Sequence, residues 1–188
     1  MKRILLIISF LVSFVIQSHS QTMSEMMRTM PDTIISLLSK NDRLDFVDYS
    51  LSGECPDISN MLGGKSKMNK LTSDYAEITL TPTSTIQFKL LELSNSSKIL
   101  CMVKTLTIDS LSDSEIMFFN SKWEKLHTYD YILVDNTQSY CHITLSETLP
   151  EITLSTTTIT LPVYEERRNI PQKTDVTLRW DGTRLVAF

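Results

Sequence analysis

Residues 99–103 read Ile99-Leu100-Cys101-Met102-Val103, an unbroken apolar run inside a chain of 188 residues. A β-strand turns alternate side chains to opposite faces, so a run without alternation needs cover on both. It marks a central strand, with helices on one side and a further layer on the other. Ile116-Met117-Phe118-Phe119 behaves likewise. Outward from these, Ile78 and Leu80, then Ile86, Phe88 and Leu90, alternate with polar neighbours as half-buried strands do. Leu90-Leu91 breaks the alternation, and a bulge is expected there. Further strands are predicted at 129–134, 141–145, 152–154, 159–163, 176–180 and 184–188, the last two as a hairpin over Asp181-Gly182.

Toward the N-terminus the period changes. Met23, Met26, Met27 and Met30 fall on one face of a helix, and core packing explains them more simply than a partner groove. Pro31-Asp32-Thr33 reads as the first turn of a second helix, with Ile34, Ile35, Leu37 and Leu38 as its buried stripe. A third, capped by Asp42, would bury Leu44, Val47 and Leu51 and stop at Gly53. Residues 53–75 collect turn residues and the lysines Lys65, Lys67 and Lys70, and read as a connection. Helices followed by strands give an α+β fold, with N-terminal helices packed on a largely antiparallel sheet. The expected division is a leader over 1–20 and one α+β domain over 21–188, helical over about 22–52 and sheet over about 76–188. A likeness between EIMFFNSKWEKL and DVTLRWDGTRLVAF offers two related sheet modules as the alternative.

Met1-Lys2-Arg3 followed by ILLIISFLVSFVI at 4–16 is the pattern of a secretory signal peptide, and the apolar run is shorter than the roughly 20 residues a membrane span needs. Small residues at Ser18 and Ser20 place cleavage before Gln21, leaving no membrane span in the exported chain. The expected location is the periplasm or the cell surface. Losing Lys2 and Arg3 moves the formal charge from −4 to −6, which argues against nucleic acid as a partner.

Four glycines, at Gly53, Gly63, Gly64 and Gly182, exclude the Rossmann and P-loop phosphate cradles. Cys55, Cys101 and Cys141 have no zinc-site spacing, and no metal or cofactor is called for. If a disulfide forms, Cys101 and Cys141 are the first choice, since both sit in strand-like apolar runs. His127 and His142 lack any serine elbow or HExxH pattern, and Cys141 and His142 would point to opposite faces of a strand. Carboxylate pairs for hydrolysis are set by the fold rather than by spacing. Asp45 with Asp48, Glu165 with Glu166, and above all Asp109, Asp113 and Glu115 in an expected loop over 109–115 are the candidates. Gly63, Gly64 and Lys65 could hold an anion on loop amides, and Trp123 and Trp180 could stack on a sugar or close the core.

MPDTIISLLSKNDRLDFVDY (30–49), LGGKS (62–66), ILCMVKT (99–105), DSEIMFFNSKW (113–123) and LRWDGTRLV (178–186) together resemble a family of exported proteins of unknown function found mainly in the Bacteroidales. The resemblance implies export across the inner membrane of a Gram-negative bacterium and brings no catalytic residues. It also implies O-glycosylation at Asp-Ser/Thr-apolar tripeptides, here at Thr33 and, better placed, Ser110. The functional expectation is a non-enzymatic module that binds an envelope protein or glycan. The alternative is a small hydrolase of envelope glycan or peptide.

Overall fold

The computed structural model describes residues 21–133, 140–158 and 172–187. The expected leader, the strand over 159–163, Glu165 and Glu166 lie outside the described residues.

Among the described residues, two helices lead into two antiparallel sheets. Helix α1 (Met23–Thr29) starts on a capping box in which the Thr22 hydroxyl accepts from the Glu25 N–H and the Glu25 carboxylate accepts from the Thr22 N–H. Met23, Met26 and Met27 are buried, as the stripe predicts. Helix α2 (Lys40–Leu51) starts on a second capping box, Ser39 with Asp42, so Asp42 stands inside the helix rather than capping it. The expected helix after Pro31 is a pair of tight turns instead, closed from Ile34 N–H to Pro31 O and from Leu38 N–H to Ile35 O. Buried Arg43 donates to the carbonyls of Met30 and Leu38 at 2.9 and 2.7 Å, taking up oxygens that a continuing helix would use itself.

The first sheet is a seven-stranded meander in the order β1 (Asp57–Ser59), β2 (Lys65–Leu71), β3 (Tyr75–Thr81), β4 (Ser84–Glu92), β5 (Lys98–Ile108), β6 (Leu111–Phe119) and β7 (Lys125–Leu126). The second has four strands in the order β11 (Leu185–Ala187), β10 (Gln172–Trp180), β9 (Glu151–Thr158) and β8 (Tyr140–Leu145). Strand β5 is buried on both faces. Leu100 and Met102 join the methionines of α1 with Phe46 and Val47 of α2, while Ile99, Cys101 and Val103 pack on Ile143, Leu145, Ile152 and Leu178 of the second sheet. The further layer inferred from residues 99–103 is this second sheet.

The bulge expected at Leu90-Leu91 is absent, because both faces of β4 are covered: Leu90 belongs to the helix-side core and Leu91 to the core between the sheets. Register shifts occur between Met68 and Lys70 and between Thr79 and Thr81 instead. Residues 53–75 hold two strands rather than a bare connection. The predicted strand over 129–134 is a short 3-10 turn at Thr128–Asp130 over its first residues. The last hairpin turns through Asp181 to Arg184, wider than the two-residue loop expected, and the Asp181 carboxylate accepts from the N–H groups of Thr183 and Arg184.

A polar strut fixes the second sheet on the first. The outward N–H groups of β8 at Cys141, Ile143 and Leu145 donate to Asp113, Ser114 and Gln87 side chains at 3.2, 3.0 and 3.0 Å. Those bonds also satisfy an edge that would otherwise be open to another chain. Lys89, 3% exposed, donates to the Glu147 carbonyl at 2.8 Å and pairs with Asp74 at 2.9 Å.

Candidate functional site

The hairpin β5–β6 turns on the two residues Asp109-Ser110, with Asp109 in the left-handed region at φ 53°. Strand β6 begins at Leu111, so the loop expected over 109–115 is mostly strand. Asp113 and Glu115, two apart on that strand, point to one side of it and border a groove of about 570 Å3. Asp109 does not line it. The groove runs beside β6, where β7 pairs only with Phe118 and Phe119 and, among the described residues, leaves the preceding part of that side unpaired.

Lys104 on β5 stands directly opposite Glu115, and Lys125 on β7 faces the same space. Among the described residues neither lysine, nor Glu115, forms an ion pair. One Asp113 oxygen accepts from the Cys141 N–H. The apolar side is made by Leu106, Ile116, Ile132 and Ile143. Tyr129, 67% exposed and on the 3-10 turn, also lines the groove. Two neighbouring grooves, of about 470 and 320 Å3, also reach Tyr129, one past His127 and the other past Leu133 and Leu185. Tyr129 therefore lines all three grooves. Burial, with the nearby Asp113 charge, pushes the Cys141 thiol up against a hydrogen bond with Thr156 that lowers it. Cys141 is part of the groove wall.

The other sequence candidates lie elsewhere. Trp123 and Trp180 are 6% and 7% exposed. Trp123 packs against Phe88 and Phe119, and Trp180 against Tyr131 while donating to the Glu92 carbonyl at 2.6 Å, so both rings close cores. At the β1–β2 turn, Gly63 takes φ 77°, but the amides of Leu62 and Gly64 donate to buried Asn60 Oδ1 at 3.1 and 3.0 Å. Lys65 donates to Ser59 Oγ at 3.0 Å, leaving the turn without the free amides an anion needs. Asp48 pairs with Arg28. His127 lies near Asp130 at 3.6 Å in solvent.

All three cysteines are free thiols. Cys101 stands opposite Phe118 in the register, whereas the Cys141 N–H bonds to Asp113. Phe118 and Asp113 are five residues apart on one strand, roughly 17 Å at strand rise, and a disulfide needs Cα atoms within about 7 Å. The expected pairing is not made for that reason.

Of the groove's lining residues, the sequence singled out Asp113 and Glu115 and gave no expectation for Lys104, Lys125 or Tyr129. Lys104 carried a readable signal, a charge interrupting the apolar run that begins at Ile99. Tyr129 carried none, because its turn follows only from hydrogen bonds to the His127 and Thr128 carbonyls. Among the described residues, no three His, Cys, Asp or Glu side chains converge on a metal position, and no helix is long and apolar enough to cross a membrane.

A family profile described as "Protein of unknown function (DUF3256)" matches residues 15–164, so the chain belongs to that family. Among solved structures, it is similar to a domain of an uncharacterized protein from Porphyromonas gingivalis W83 at TM-score 0.70 and 18% identity, over 88% of this chain and 96% of that one. At that identity the likeness is one of fold. No curated protein matches. The family and the neighbour's source agree with the Bacteroidales-like resemblance read from the sequence.

Proposed function

We propose that this chain is an exported, non-enzymatic binding module of the bacterial cell envelope and that the Tyr129 groove is its binding surface. The observation that carries the reading is the groove itself. Its volume falls within the range of about 300–1,000 Å3 typical of small-ligand sites, and an exposed aromatic ring lines it together with Lys104, Lys125 and Glu115, which among the described residues form no ion pair. The leader pattern at 1–16 supports export.

The test is crosslinked affinity capture of the tagged protein from its own envelope fraction, followed by identification of what is retained. A stoichiometric protein or glycan supports the module, and a bait recovered alone counts against it. The hydrolase reading rests on Asp113 and Glu115 sharing one groove. Asp113→Ala and Glu115→Ala variants that leave envelope glycan and peptide turnover unchanged would remove it.

A further inference from the structure

We propose that the Tyr129 groove takes a neutral oligosaccharide. The proposal rests on the reading of the chain as a binding module and names its ligand class.

The charges lining the groove balance, Asp113 and Glu115 against Lys104 and Lys125. A polyanion would meet the two carboxylates, and a polycation the two ammonium groups. A sugar hydroxyl both donates and accepts a hydrogen bond, so it is satisfied by an ammonium and a carboxylate side by side. Lys104 and Glu115 present that arrangement, opposite one another on β5 and β6 with no ion pair between them. Ser114 and Ile116 of β6 also line the groove, on the part of the strand that β7 does not pair with.

The apolar part fits the same ligand. A pyranose ring has a C–H face that packs on an aromatic ring, and Tyr129, which tilts against His127 with ring centroids 5.7 Å apart, remains 67% exposed and lines the groove. Tyr129 also lines the two neighbouring grooves, which offer further space for a chain of several rings. The buried Trp123 and Trp180 have no such freedom.

The test uses the full chain, expressed with its own N-terminal segment, and tetrasaccharides of glucose, mannose, galactose and N-acetylglucosamine as probes. Binding is read by saturation-transfer NMR and titration calorimetry, beside a sulfated oligosaccharide and an oligolysine. The expected result is binding of at least one neutral probe, about tenfold weaker in Tyr129→Ala and weakened again in Glu115→Gln, with unchanged thermal unfolding. Binding of none of the four at millimolar concentration overturns the ligand class, as does preference for either charged probe, or binding untouched by both substitutions. Sizing the recovered probes separates the two claims. Cleavage would overturn the non-enzymatic reading while the ligand class stands, and envelope capture of a protein through the same groove would do the reverse.

Discussion

Lys104 and Glu115 face one another across β5 and β6 and leave their charges unpaired. Two exposed charges that do nothing for each other contribute little to folding. Lys104→Met and Glu115→Gln should each change the free energy of unfolding by less than about 0.5 kcal/mol, measured by urea titration. A loss of several times that would mean these side chains serve the fold and not a ligand.

Arg43 makes the opposite case. It is 1% exposed and donates to two carbonyls besides pairing with Asp32, whose side chain is 75% exposed. Arg43→Ala leaves the Met30 and Leu38 oxygens without their donor and opens a cavity, and should cost about 3 kcal/mol. Asp32→Asn, which removes only the solvated end, should cost less than about 1 kcal/mol. Chemical denaturation of the pair tests whether the carbonyls or the ion pair matter.

The Tyr75–Glu77 cluster gives the stability curve a pH dependence at both ends. Burial raises Glu77, but hydrogen bonds from Gln87, Asn69 and Tyr75 outweigh it and hold the carboxyl below its ordinary 4.5. Its contribution is present above that value and is lost as the pH falls through the lowered folded pKa. Burial, with the hydrogen bond to Glu77, pushes the Tyr75 phenol well above its ordinary 10.0. That contribution is intact below 10.0 and is lost as the pH rises toward the folded value. Unfolding curves should therefore flatten at acid pH in Glu77→Gln and at alkaline pH in Tyr75→Phe.

Thiol chemistry checks the arrangement of the two sheets. Cys101 and Cys141 are buried and Cys55 is exposed, and burial pushes both buried thiols up. Iodoacetamide should modify Cys55 alone in the native protein and all three cysteines after denaturation without reductant. A reductant requirement for the last two would show that the sheets bring them together after all.

The layering was legible because β5 is covered on both faces, and a sequence apolar at every position states that directly. The strand β2 was hidden: Ser66 occupies a buried position between Lys65 and Lys67, so Met68 alone marks the buried face of its alternation. The false helix after Pro31 had the right apolar spacing, but Arg43, thirteen residues from Met30, decides those carbonyls. Of the groove, only the carboxylates could be read, since acids two apart on a strand share a face whatever the rest of the chain does. Its cations come from β5 and β7 and its ring from a turn, and only the packed sheet brings them together.

The most direct test of the account compares envelope capture by the wild-type chain and by a Tyr129→Ala, Glu115→Lys variant of equal stability. The wild-type chain should retain a component that the variant loses. Equal retention by both would place the binding surface elsewhere and contradict the assignment of the groove.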